Sequence, residues 1–241
     1  TQDYGKRKIF FSDKDIIMDT IREKNKNLSD NLKLNIIKEL SSNKKLSNLL
    51  SIKRARINSK EVNKDDIFFA IKGRKNNGNK FVKQSFEKKA SVAIVNELKQ
   101  KLNVNRQIKV KNSLKFLTDA SKIFRENINT KIIAITGSCG KTTLKELLGN
   151  SLKKISKASI SPKSFNNKYG VPLSLFNLDH KDDYGVLEVG MDKKGEIDYL
   201  SKILQPNISV ITNINFAHAK NFKNIGQIAL AKAEIIDNTK S

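Results

Sequence analysis

The stretch Ile132-Ile-Ala-Ile-Thr-Gly-Ser-Cys-Gly-Lys-Thr-Thr143 limits what this chain can fold into more than any other. A run of β-prone apolar residues meets two glycines, a lysine and two threonines. The pattern Leu144-Lys-Glu-Leu-Leu148 then reads as a helix. A buried strand, a tight glycine turn and a helix N-terminus in that order form a cradle for phosphate, because the first-turn N–H groups have no partner of their own. Lys141 supplies a point charge for the outer phosphates, and the hydroxyl of Thr142 or Thr143 suits Mg²⁺. The commoner phosphate loop has a glycine where Ile135 stands, so the match is to a shorter form, Gly-x-x-Gly-Lys-Thr-Thr.

A strand that opens such a loop belongs to a parallel sheet covered by helices. The rest of the chain agrees with that. After residue 131, strand-like and helix-like units alternate: strand 132–136, a helix near 142–153, a helix from Val171 to Leu178, the strand Tyr184–Gly190, a helix from Gly195 to Leu204, the strand Ile208–Thr212 and a helix from Ile225 to Ile236. Upstream, Arg54–Ile57, Ile67–Ile71, Val92–Val95 and Ile108–Val110 read as strands. Phe81, Val82, Phe86 and Ala90 form a helical stripe. The expected fold is α/β: a small N-terminal α/β domain at 52–112, a linker helix at 113–130, and a phosphate-loop parallel-sheet domain at 131–241. Residues 1–51 form a helical lead-in, with two short amphipathic helices around Ile16–Ile21 and Leu32–Leu40.

Composition removes several classes. No apolar run approaches the roughly 20 residues of a membrane span. The lone Cys139 excludes an internal disulfide framework and fits a reducing compartment. Two histidines and one cysteine cannot make a Cys/His zinc cluster. The formal charge of +23 invites a nucleic-acid reading, but the lysines are spread along the chain without interleaved aromatics. The expectation is therefore no nucleic-acid partner. A positive field still gathers anionic nucleotides.

Ligands on such sheets sit beyond the carboxyl ends of the strands. The phosphate loop, Glu188, Asn213 and His218 all lie at or just past strand ends, so they are expected on one rim. Glu188 sits inside an apolar strand, where a carboxylate needs a partner or a metal. It reads as a Mg²⁺ ligand or as a strand-end acid facing water. His218 reads equally as a second ligand or as a loop histidine. Lys232, among small residues in Ala229-Leu-Ala-Lys-Ala-Glu234, reads from pattern alone as solvated.

Five segments in this order resemble the Mur ligases: Ile135-Thr-Gly-Ser-Cys-Gly-Lys-Thr-Thr143; Phe165-Asn-Asn-Lys-Tyr-Gly-Val-Pro172; Leu187-Glu-Val-Gly-Met191 with Gly195-Glu-Ile197; Ile211-Thr-Asn213 with Ala217-His218; and Ala231-Lys-Ala-Glu-Ile235. Upstream, Ile57-Asn-Ser-Lys-Glu-Val62, Asp66-Ile-Phe-Phe-Ala-Ile-Lys-Gly73 and Asn77-Gly-Asn-Lys-Phe81 resemble that family's UDP-binding domain. Ser138-Cys139, Asn166-Asn167 and Val189-Gly-Met191 favour the branch that adds D-alanyl-D-alanine to UDP-N-acetylmuramoyl-tripeptide over its siblings. The resemblance implies a cytoplasmic, monomeric, ATP-dependent ligase of peptidoglycan precursors with two Mg²⁺ ions, acting through an acyl phosphate. Another Mur-type amino-acid ligase, or a generic phosphate-loop phosphotransferase or NTPase, is the alternative.

The same resemblance implies roles. Gly137, Ser138, Cys139, Gly140, Lys141, Thr142, Thr143 and Asn213 hold the nucleotide. Thr142, Glu188 and His218 hold metal. Lys141, His218 and Lys232 serve catalysis, Lys232 as a carbamylated lysine. Ser59, Lys60, Gly78, Asn79, Asn166 and Asn167 contact the UDP-muramoyl peptide. Where the family usually reads Asp-Ser-Arg, this chain has Asn58-Ser59-Lys60, and lysine does not reproduce an arginine fork. Family members continue past the Lys232 helix into a further domain, so these 241 residues alone are expected not to ligate.

Overall fold

The computed structural model describes residues 31–42, 52–73, 76–216 and 221–240. The first expected lead-in helix, around Ile16–Ile21, lies outside them. The described residues begin with helix α1 (Leu32–Ser41) and continue through β1 (Ala55–Arg56), β2 (Ile67–Phe69), α2 (Val82–Glu87), β3 (Val92–Val95), β4 (Gln107–Lys109) and α3 (Ser113–Glu126). The second part holds β5 (Lys131–Thr136), α4 (Lys141–Leu152), β6 (Ala158–Ile160), α5 (Gly170–Phe176), β7 (Tyr184–Glu188), α6 (Glu196–Leu204), β8 (Ile208–Ile211) and α7 (Ile225–Ala233).

Among the described residues two four-stranded sheets form, in the orders β1-β2-β3-β4 and β6-β7-β5-β8. Every strand pair is parallel. Parallel strands buried on both faces read as continuous apolar runs, with neighbouring residues facing opposite ways. In β2, Ile67 and Phe69 enter the large core while Phe68 joins a smaller one with Val62 and Val82. In β5, Ile132 and Ala134 face the large core, and Ile133 and Ile135 face α4 through Leu144 and Leu148.

The large core runs from one sheet to the other through α1, α3, α5 and α6. Phe124 of α3 meets Phe176 of α5 edge-on, with ring centroids 5.6 Å apart. The segment expected as a linker is therefore a packed helix with Leu117, Ala120, Ile123 and Phe124 fully buried. Asn112 caps its start by accepting from the N–H groups of Leu114 and Lys115. Arg125, near its end, donates to Leu204 O, Gln205 O and Asn207 Oδ1, which closes the C-terminus of α6.

Asn177, just past α5, joins the sheets more directly. Its Oδ1 accepts from Ala55 N at 2.7 Å and its Nδ2 donates to Ala55 O at 3.0 Å. The helix expected to run to Leu178 ends at Phe176, where the chain turns to let this side chain reach β1. Strand β6 was not expected. It is only three residues long and half-buried, so it carries little apolar signal.

Candidate active site

The site grows from the end of β5, the strand flanked by β7 and β8. Gly137 follows it with a φ of 150°, and a Cβ there would lie 1.8 Å from Thr212 Oγ1. No side chain fits between the loop and β8. Gly140 takes a left-handed φ of 78° and starts α4 without a side-chain cap. No N-cap side chain thus takes any of the first-turn N–H groups, and these stand at the positive end of the helix dipole, as an anion site requires.

The loop is stitched to the segment after β8. Ser138 N donates to Asn213 O, and Cys139 N donates to Asn213 Oδ1 at 2.9 Å. Thr212 Oγ1 donates to Cys139 O at 2.6 Å. Asn213, expected near nucleotide, therefore shapes the loop itself. Lys141 folds back, its Nζ 2.7 Å from Gly137 O. Thr143 is exposed in the first turn of α4.

Glu188 ends β7 almost fully buried, at 1% exposure. Thr142 Oγ1 donates to its Oε2 at 2.7 Å, and Asn166 Nδ2 donates to its Oε1 at 2.7 Å. Both partners are neutral, and none of the ion pairs among the described residues involves Glu188. A buried carboxylate satisfied only by neutral donors lacks its counter-charge. A carboxylate beside a threonine hydroxyl is the hard-oxygen donor set that suits Mg²⁺. Asn167, the other half of the pair, instead accepts from Tyr169 N and Gly170 N and sets the turn into α5.

Lys232 is only 2% exposed, which corrects the pattern-only reading of a solvated lysine. Ile228, Ala231, Lys232 and Ile235 are all buried, and that spacing of three and four residues marks one helix face. The same spacing was available in the sequence. Burial, and then the positive charge of Lys141, lower the Lys232 ammonium to about 8. Just beyond it, Glu234 accepts from Gly195 N at 2.8 Å and from Asp198 N at 3.1 Å. It thereby caps α6 and ties the Lys232 helix to the loop after β7. Nothing local in the sequence announces that pairing across 39 residues.

Gly137, Lys141, Asn166, Asn167, Gly190 and Lys232 are among the residues that line an open cleft of about 950 Å³; Thr142, Thr143, Glu188 and Asn213 are not. From the first sheet, Gly73 and Asn76 also reach it. Ser59, Lys60, Gly78 and Asn79 do not line it. Ser59 is buried and donates to Gln84 Oε1 at 2.6 Å. Asn79 Oδ1 accepts from Asn96 N at 3.1 Å, and a Cβ on Gly78 would strike the backbone of Ile71. Lys60 is exposed. Asn79 borders a separate, smaller groove of about 290 Å³ with Lys80, Lys83, Lys99 and Lys101 around it. His218 lies outside the described residues.

Residues 135–241 match the Mur ligase middle domain. Over that stretch the chain belongs to the Mur ligase family. It is 36% identical over 193 residues to the UDP-N-acetylmuramoyl-tripeptide–D-alanyl-D-alanine ligase of Rickettsia prowazekii, covering 80% of this chain and 43% of that protein. Against the same-named protein of Buchnera aphidicola from Acyrthosiphon pisum it is 37% identical, covering 76% and 40%. The chain thus spans about two fifths of the length of the curated relatives it matches. Among solved structures, MurF from Acinetobacter baumannii superposes with a TM-score of 0.74 at 34% identity, over 85% of this chain and 46% of that one. MurF ligase from Thermotoga maritima, in complex with ADP, gives 0.67 at 33%, over 78% and 44%. Among the described residues no helix is long and apolar enough to cross a membrane.

Proposed function

We propose that this Mur ligase chain carries the nucleotide-binding machinery of a cytoplasmic ligase that joins D-alanyl-D-alanine to UDP-N-acetylmuramoyl-tripeptide at the expense of ATP. The observation that carries the reading is the convergence of Lys141, Asn166 and the buried Lys232 on one cleft, beside a carboxylate held by Thr142 and Asn166. The curated relatives bearing that activity in their names support the choice of branch.

In this reading the uncapped start of α4 and the loop Gly137–Gly140 hold the ATP phosphates, with Thr143 in the same first turn. Lys141 swings from Gly137 O to the outer phosphates. Thr142 and Glu188 hold Mg²⁺, and His218 completes a second metal position. Mg²⁺ held there would neutralise charge on the phosphoryl oxygens. The tripeptide carboxylate attacks the terminal phosphorus, ADP departs, and an acyl phosphate forms. The amine of D-alanyl-D-alanine attacks the acyl carbon, and phosphate leaves with the carboxylate oxygen. Negative charge gathers at each stage near Lys141, which stabilises it electrostatically.

Lys232 enters as its carbamate. A neutral amine takes up CO₂ and releases a proton, which turns a buried cation into an anion that suits a metal-rich site. The first sheet carries the uridine diphosphate, with Lys60 as the exposed cation and Ser59, Gly78 and Asn79 shaping the rim. Gly73 and Asn76 pass the peptide end into the cleft, where Asn166 and Asn167 stand. The working unit in this reading is a monomer.

The test is phosphate release by the complete gene product with ATP, Mg²⁺ and UDP-N-acetylmuramoyl-tripeptide. D-alanyl-D-alanine is expected to stimulate it strongly. Stimulation by a single amino acid instead would move the chain to a sibling branch. No response to any acceptor would leave only a generic phosphate-loop NTPase.

A further inference from the structure

Helix α4 contains a fully buried lysine, Lys145, at 0% exposure. Lysines are almost never fully buried unless paired. Its Nζ donates to Ser161 O at 2.7 Å and to Lys163 O at 2.5 Å, and lies 3.2 Å from Glu146 Oε1. Three oxygens thus meet the three protons of the ammonium. Two of them belong to the loop between β6 and α5, and Lys163 there holds a left-handed φ of 48°.

That loop connects with Glu188 along its length. Ser161 Oγ accepts from Glu188 N at 3.3 Å. Asn166 Nδ2 donates to Glu188 Oε1, and Asn166 O accepts from Gly190 N at 2.8 Å. A Cβ on Gly190 would press on the Asn166 side chain at 2.9 Å, so the loop seats against the strand end with no spare room. Thr142, which holds the other carboxylate oxygen, lies three residues before Lys145 on α4, on the same side of the helix.

We infer that Lys145 is a positioning residue for the oxygen cluster at Glu188. One helix fixes the carboxylate twice: directly through Thr142, and indirectly through Lys145, the 161–166 loop and Asn166. An apolar side chain would fill the same space, but it would leave the Ser161 and Lys163 carbonyls without a donor. The loop would then drift, and Asn166 with it. The inference rests on the reading of Glu188 as a Mg²⁺ ligand.

The test compares the complete gene product with its Lys145→Met variant by nucleotide binding as a function of Mg²⁺, and by hydrogen exchange. The Mg²⁺ concentration at half-saturation is expected to rise about tenfold, the size typical of lost support behind a metal ligand. Nucleotide binding in chelator should stay unchanged, and exchange should rise in 161–168 but not in the first sheet. Asn166→Ala should shift the midpoint similarly, and the double variant no further than either alone. Should Lys145→Met fail to fold, Lys145→Gln, which keeps a donor with shorter reach, is expected to give a smaller shift of the same sign. An unchanged midpoint in a folded variant, or effects that multiply in the double variant, would overturn the inference. Nucleotide binding by the unmodified protein that ignores Mg²⁺ would sink the metal role of Glu188 itself, and the inference with it.

Discussion

A lysine can be read as solvated, paired or reactive, and the choice turns on what surrounds its last four atoms. Lys232 and Lys145 are both buried, yet they differ. Lys145 has three oxygen partners, which hold its Nζ in place. Lys232 has no hydrogen-bond partner for its Nζ among the described residues, and burial and Lys141 hold it at about 8. At pH 8 about half of such a group is neutral, against about 0.3% of an ordinary lysine. We therefore expect a carbamate carbon signal in ¹³C NMR when the protein is given ¹³C-bicarbonate, stronger at pH 8.5 than at pH 7 and absent in Lys232→Met. A spectrum identical for the two proteins would remove the carbamate. Chemistry-bearing residue types such as Lys141 and Glu188 could be picked out from the sequence because they sit at strand ends. Lys145 could not, because it shares its helix with the exposed Leu147, whose apolar side chain is 66% accessible and misleads any search for the buried face.

Elements behave differently from residues in this respect. Strands β2, β3 and β5 were legible because burial on both faces writes an unbroken apolar run, and α4 because a glycine turn precedes it. What the sequence hid is how the elements meet. Asn177 ends α5 locally and bonds Ala55 across 122 residues, and no window of neighbouring residues contains both. Asn177→Ala removes an acceptor and a donor together, leaving the Ala55 N–H and C=O without those partners. The expected cost is about 1–3 kcal/mol, read as a lower urea midpoint with an unchanged slope. An unchanged midpoint would mean that water replaces the amide at no cost. The phosphate loop is legible for the opposite reason: its glycines, lysine and threonines are contiguous, although Thr212 and Asn213, which hold its shape, are not.

Over the whole molecule the excess of basic residues sets the pH response. The formal charge is +23 and the isoelectric point about 10.0. Lys33 of α1 lies 5.6 Å from the centroid of the Phe124 ring. Burial first lowers it to about 8, with Arg54 adding and with Asp179 and Asp182 opposing. Between pH 8 and 10.5 the unfolded chain binds the proton that the folded chain has released, so folding stability rises with pH across that window. Below pH 8 both states are protonated and the penalty is constant. Denaturation midpoints are expected to climb from pH 7.5 to 9.5, and to climb less in Lys33→Met. A profile of equal slope in that variant would assign the climb to relief of general repulsion. The joint at Asn177 has one more consequence, and it is colloidal. Ala55 turns its N–H and C=O away from β2, so β1 would otherwise present a bare sheet margin to any passing chain. The amide of Asn177 occupies both groups like a one-residue strand. The side chain that joins the sheets therefore also keeps neighbouring molecules from zipping onto that edge.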